Sequence, residues 1–206
     1  MYLTVEMNFL AHLYLSGDNP QIKTGNFIGD FVKGKNLTDR FEKDIARGIA
    51  LHREIDWFTD RHPIVKQSKD RLRGKYRHYS GVIVDVFYDH FLAKNWKRYS
   101  TKLLPDFADE CYAIIQQRKS ILPEEANYML PYMIKGNWLV NYSKISGIHK
   151  ALSGMASRTR FESKMEEATG DLEKNFEEFQ NEFFLFFPSL SSFAADWINA
   201  HDQTLA

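Results

Sequence analysis

The chain has 206 residues, 44% of them apolar and 15% aromatic, which is enough to bury a sizeable core and too apolar for intrinsic disorder. Its 27 basic and 27 acidic residues cancel, setting aside a strongly basic nucleic-acid binder, yet residues 1–104 hold 18 Lys/Arg against 12 Asp/Glu, a net of +6, and the remainder a net of −6. Cys111 stands alone, so neither an internal disulfide framework nor a zinc knuckle is open to the chain.

Hydrophobic periodicity predicts an all-α chain, with helices near 7–16, 20–34, 39–61, 64–73, 77–99, 106–120, 123–134, 137–155, 159–186 and 189–200. Most prolines, at 20, 63, 105, 123, 131 and 188, fall where one pattern hands over to the next. The apolar stretch Phe9–Leu15 is short, contains His12 and follows Glu6, so it does not read as an export signal. No run approaches the roughly 20 apolar residues that span a bilayer, and the expected compartment is the cytoplasm, with no membrane partner. Met7 reads as an alternative start, which would leave residues 1–6 as an N-terminal tail before a single helical domain over 7–206. Asp39 and Glu42 are spaced as a capping box for the third helix. Late in the chain Phe161, Met165, Ala168, Leu172, Phe176, Phe179 and Phe183 recur at helical spacing, with Glu162, Glu166, Glu167, Glu173, Glu177 and Glu178 opposite them, as one long scaffold helix.

The chemistry-bearing residues sit where these helices turn apolar faces inward. With Ile45 at zero, 100° per residue puts Phe41 at about −40°, Ile49 at about +40°, His52 at about −20°, Asp56 at about +20° and Asp60 at about +60°. The apolar stripe thus becomes His-Asp-Asp, where a carboxylate is costly unless paired or bound to metal. A His52–Asp56 hydrogen bond or an arginine salt bridge would also satisfy it. In the segment 80–92, apolar all round, Asp85 and Asp89 stand one turn apart, and a shared divalent cation would relieve their repulsion. His90 lies about 100° round from Asp89, a weaker candidate for the same ion. His12 and Asp30 are further candidate ligands. Imidazole and carboxylate without thiolate suit Mn²⁺, Fe²⁺ or Mg²⁺ better than structural zinc. With no G-x-S-x-G elbow, Walker loop or G-x-G-x-x-G, metal-assisted hydrolysis is the catalytic plan that remains.

Residues 61–78 carry Arg61, Lys66, Lys69, Arg71, Arg73, Lys75 and Arg77 against one Asp. The run is either a solvated face or a dock for an acidic partner between the two ligand-bearing helices. Nucleic acid is disfavoured by the neutral total and the lack of a motif. Arg158 and Arg160, after a Gly-turn, are placed to hold a phosphate or to cap a helix.

Taken in order, the segments Met7–Leu13, Gly29–Gly34, Gly48–Asp60, Asp85–Leu92, Asn137–Val140, Gly154–Arg158 and Phe183–Pro188 resemble the acyl carrier protein phosphodiesterase family, relatives of the HD-type metal phosphohydrolases. The resemblance implies a compact, HD-phosphohydrolase-like helical fold and Mn²⁺-dependent hydrolysis. The bond cleaved would join 4′-phosphopantetheine to a serine of holo-acyl carrier protein, a small acidic partner. By position His12, Asp30, His52, Asp56, Asp60, Asp85, Asp89 and His90 match the family's polar motif residues, with Asp89-His90 in the reverse of the usual His-Asp order. On this reading His12, Asp30, His52, Asp56, Asp85 and Asp89 hold the metal, Asp60 and Arg158 act in catalysis, Arg158 and Arg160 hold the phosphate, and residues 61–77 dock the carrier protein. A phosphohydrolase of small nucleotides or other phosphate esters, and a non-catalytic module that binds an acidic protein, are the alternatives.

Overall fold

Asn19 caps a helix that packs beside the largely buried residues 9–13. Its side chain accepts from the backbone of Gln21 and Ile22, and Pro20 takes the first helical position, where no amide is needed. The computed structural model describes residues 8–202; the expected N-terminal tail lies outside the described residues. Eleven α-helices are found among these residues, and no strand. They are α1 (Phe9–Tyr14), α2 (Pro20–Phe27), α3 (Lys43–Arg61), α4 (Pro63–Tyr76), α5 (Ser80–Lys94), α6 (Leu104–Gln116), α7 (Glu124–Lys135), α8 (Trp138–Asn141), α9 (Ile145–Ala156), α10 (Ala168–Lys174) and α11 (Phe176–Asp202). No helix among them is long and apolar enough to cross a membrane.

The central element is α5. Ile83, Val84, Val86, Phe87, Tyr88, Phe91 and Leu92 are all buried, as expected for a helix apolar on every side. Helices α1, α4, α9 and α11 pack around it. From α11, Phe179 meets Phe87 edge-on at 5.2 Å, and Phe183 meets Tyr88 at 5.6 Å. Such edge-to-face pairs add to the area they bury.

Helices α2 and α3 touch backbone to backbone. A Cβ on Gly48 would stand 2.1 Å from the Ile22 carbonyl oxygen, and one on Gly25 would stand 2.1 Å from that of Ile45. Only glycine admits this approach, and it sets Asn26 of α2 directly beside His52 of α3.

Several boundaries depart from the pattern. The expected capping box is absent: α3 begins at Lys43, Glu42 occupies the N-cap without a side-chain bond, and Asp39 lies in the preceding turn. The segment 20–34 ends its α-helix at Phe27 and continues as a 3₁₀ turn, Gly29–Phe31. The long late helix is broken. Residues 157–164 are irregular, Phe161 is exposed, and a second interruption at Asn175 separates α10 from α11. Met165, Ala168, Leu172, Phe179 and Phe183 still share the core because the interruption keeps the helical phase. Pro188 does not end a helix but lies inside α11, on the exposed side where water can satisfy the carbonyl it leaves unpaired. Phe183, Phe186, Phe187 and Leu190 hold the helix to the core across it.

Candidate metal centre

Two histidines from different helices stack with ring centroids 4.0 Å apart. His12 comes from α1 and His52 from α3, and both are buried. Their Nε2 atoms converge on one carboxylate: His12 Nε2 lies 3.3 Å from Asp56 Oδ1, and His52 Nε2 lies 3.3 Å from Asp56 Oδ2. Asp30, on the 3₁₀ turn, meets His52 Nε2 at 3.1 Å. Ligand atoms of His12, His52 and Asp56 all lie within 4.8 Å of one another.

Asn26, which the sequence pattern did not single out, organises this pair. His12 Nδ1–H donates to its side-chain Oδ1 at 2.8 Å, and His52 Nδ1–H donates to its backbone carbonyl at 2.8 Å. Carbonyl oxygens only accept, so both Nδ1 atoms carry the proton and both Nε2 atoms are left to face Asp56. The Asn26 amide donates in turn to the His12 carbonyl and to Ser16 Oγ, each at 2.9 Å. Gly29 lies under the His52 ring, where a Cβ would stand 2.2 Å from Cγ. Asn26 is fully buried in a short helix, and the sequence shows only an amide between Gly25 and Phe27.

Burial alone would depress the His52 pKa, but hydrogen bonds and charge from Asp30 and Asp56 outweigh it and carry it up to about 10. For Asp56, burial works to raise the pKa, and the two histidines overcome it and hold the carboxyl below its usual range.

His12 borders a cleft of about 220 Å³, also lined by Asp30, Asp56, Asp60, Asp85, Tyr88 and Phe186, and the buried His52 stands behind Asp30 and Asp56. The angular expectation on α3 matches the geometry for His52 and Asp56. Asp60, one turn on, is exposed and held by Lys69 Nζ at 2.6 Å. Asp85 is half-buried and reaches the same cleft.

Asp89 turns elsewhere. Its two oxygens accept from the backbone N–H groups of Leu10 (2.9 Å) and Ala11 (2.8 Å), so it caps the N-terminus of α1 and is not brought together with Asp85 over one ion. Burial pushes its carboxyl up to about 7, against the pull of those two amides. His90 also points away from the cleft. Its Nδ1–H donates to the Tyr142 carbonyl at 2.7 Å, and its ring stands among Phe91 and Phe176.

The arginines expected near the phosphate are not in this cleft. Arg158 lines a separate cavity between α7 and α9, and Arg160 lies over the Phe161 ring. Much of the basic run is bound into the fold. Arg71 forms a two-pronged pair with the buried Glu182, at 2.7 Å for each contact. Lys75 meets Glu167 and Asp171, each at 3.0 Å, while Lys66 pairs with Asp70 and Lys69 with Asp60. Arg73 approaches Asp70 at 3.9 Å. Arg61 sits over the Trp57 ring, 4.7 Å from its centroid, and neither Arg61 nor Arg77 has a carboxylate partner among the described residues.

The family model of acyl carrier protein phosphodiesterase matches residues 7–190. Curated proteins named acyl carrier protein phosphodiesterase are similar along most of their length. That of Photorhabdus laumondii is 33% identical over 183 residues, 88% of this chain and 92% of its own. Those of Yersinia enterocolitica and Escherichia coli are 31% and 34% identical, covering 92% and 89% of this chain and 98% and 95% of theirs. No solved structure matches, so kinship with HD-type phosphohydrolases rests on the sequence resemblance alone. With a family model over nearly the whole described chain and relatives matched end to end, this chain belongs to the acyl carrier protein phosphodiesterase family of hydrolases.

Proposed function

We propose that this chain is a metal-dependent phosphodiesterase that removes 4′-phosphopantetheine from holo-acyl carrier protein, leaving the apo form. One observation carries the metal: two histidines, each with Nδ1–H anchored on Asn26, present both Nε2 atoms to Asp56, which with His12 lines a cleft that holds four aspartates and no Lys or Arg. Such a cleft repels a phosphodiester unless a cation sits between them. The donors fit that cation. They are imidazole and carboxylate, suited to Mn²⁺ with Mg²⁺ or Fe²⁺ as alternatives, and the His52 ring carries a proton where an ion's charge would otherwise sit. His12, His52 and Asp56 would hold the ion, with Asp30 and Asp85 at its edge. When bound, the ion would neutralise the phosphate and acidify a water.

The chain's own groups do the rest. Asn26 keeps the two Nε2 atoms turned toward Asp56, where they would serve as ligands. Asp60, tied to Lys69 on the cleft's rim, is placed to orient the substrate or a water. Tyr88, Phe186 and Phe187 give the cleft an apolar wall that limits water. Docking of the acidic carrier protein falls to the cations without carboxylate partners, Arg61 and Arg77.

The test pairs elemental analysis of purified protein with a mass assay on holo-acyl carrier protein. Mn²⁺ should copurify or restore activity after chelation, and the product mass should fall by one phosphopantetheine. Asp56→Asn and His52→Asn should lose metal and turnover together while keeping wild-type helicity. Full activity in both variants would place the reaction elsewhere. Cleavage of nucleotide esters without the carrier protein would favour the small-substrate alternative.

A further inference from the structure

A second cavity, of about 440 Å³, lies among α7, α8 and α9 and shares no lining residue with the metal cleft. Tyr128, Met129 and Tyr132 come from α7 and Trp138 from α8, while Lys150 and Arg158 come from α9 and the turn that follows it. Its electrostatics are the reverse of the cleft's. No Asp or Glu lines it and two cations do, whereas the metal cleft has four aspartates and no cation. Lys150 is exposed and has no ion-pair partner among the described residues. Tyr128 and Tyr132 remain 72% and 56% exposed, with their ring centroids 5.5 Å apart. Isolated exposed aromatics need no explanation, but two adjoining ones at the mouth of an aromatic cavity form a contiguous surface of the kind that binds a ligand.

We propose that this cavity binds an amphiphilic organic anion, its apolar body against Tyr128, Met129, Tyr132 and Trp138 and its carboxylate or phosphate head at Lys150 and Arg158. A neutral apolar ligand would leave the charge of Lys150 without a counter-ion, and an inorganic anion would leave the aromatic wall bare. The arrangement uses both. The inference does not depend on what the metal cleft does.

The probes are decanoate, whose body is a flexible chain, and adenosine monophosphate, whose body is a flat ring. Decyltrimethylammonium carries the same chain as decanoate with the opposite charge. Each is titrated into the full-length protein by calorimetry, and tryptophan fluorescence is read in parallel. Expected is saturable binding of at least one anion, at least tenfold tighter than that of the cationic amphiphile. Lys150→Glu should weaken it at least tenfold, and Trp138→Phe should remove most of the fluorescence change. Asp56→Asn should leave affinity within twofold, because that residue belongs to the other cleft. Arg158 Nε donates to the Gly154 carbonyl at 2.9 Å, so Arg158→Gln puts local structure at risk, and the exposed Lys150 supplies the decisive variant. Binding of decanoate or of the nucleotide identifies the body as chain or ring. The proposal falls if neither anion binds, if the cationic amphiphile binds as tightly, if Lys150→Glu has no effect, or if Asp56→Asn abolishes binding.

Discussion

Replacing Asn26 by leucine, nearly isosteric and unable to hydrogen-bond, isolates what this side chain does for the two histidines. The losses are unequal. His52 Nδ1–H keeps the backbone carbonyl of residue 26 at 2.8 Å, and Ser16 Oγ still donates to the His12 carbonyl at 2.7 Å. His12 Nδ1–H, buried, loses its acceptor outright. One orphaned buried donor costs about 1–3 kcal/mol, which for a domain of this size lowers Tm by roughly 2–4 °C per kcal/mol. The larger effect falls on the metal. Outer partners of ligating histidines are worth roughly 10–100-fold in affinity, so Mn²⁺ should bind Asn26→Leu weaker by that factor. Nitrogen-15 NMR of the imidazoles separates the two roles: the His12 signal should become a mixture of tautomers, while His52 keeps its proton on Nδ1. A variant with lowered Tm but unchanged Mn²⁺ affinity and an unchanged His12 tautomer would refute the claim that Asn26 aims the ring.

Asp89 supplies a pH test. Its folded pKa of about 7 stands above an unfolded value of roughly 3.9, so the proton it holds favours folding below about pH 4 and that contribution is lost as pH rises to about 7, roughly 4 kcal/mol across the window. Asp89→Asn cannot ionise, and urea unfolding should show this downward slope in the wild type and not in the variant. Gly48→Ala brings a methyl within 2.1 Å of a carbonyl oxygen and should cost about 1–3 kcal/mol or more together with Mn²⁺ affinity, because Asn26 moves with α2. Gly74→Ala in α4 meets nothing within 4 Å and should stabilise by about 0.5–1 kcal/mol in the same thermal melts. Arg61→Glu with Arg77→Glu should lower kcat/KM for the carrier protein, flatten its salt dependence and spare a small phosphodiester. Lys69→Glu should harm both substrates because Lys69 holds Asp60 at the cleft; equal losses on both substrates in the arginine variant would remove the dock.

The α3 stripe was legible because a single straight helix carries it: 100° per residue puts His52 and Asp56 on one face, and they do meet at 3.3 Å. The inward turn of α5 was legible for the same reason, from its unbroken apolar pattern. Where the reading of Asp89 and the geometry part, the partner is a backbone amide 78 or 79 residues away, and no side-chain pattern marks an amide. Within the charge run between residues 61 and 78, Arg71 and Lys75 looked free because their counter-ions Glu182 and Asp171 lie about a hundred residues on, beyond any local window. The partners of Lys66 and Lys69, Asp70 and Asp60, were near in sequence. Arg158 suits a phosphate, or a helix cap, by its residue type and its place after a Gly-turn, and neither reveals which of two cavities the turn will face. Pro188 marked a boundary by its local chemistry, and the aromatic packing of α11 overrode it.

These differences share one cause, and it bears on how the centre is held. Helix α1 has six residues, too few to hold itself together, and Asn8 offers it no side-chain cap. Asp89 of α5 grips its first turn through two amides, and Asn26 of α2 grips its other end through the His12 ring, the His12 carbonyl and Ser16. His12 therefore reaches Asp56 only when three separately coded helices are docked, and α2 is docked only because Gly25 and Gly48 let it touch α3. A side chain placed on a helix this short is positioned by tertiary structure and not by its own sequence. Were His12, His52 and Asp56 to hold an ion, it would tie α1 to α3 from inside, and metal affinity would draw on the same contacts that dock α1.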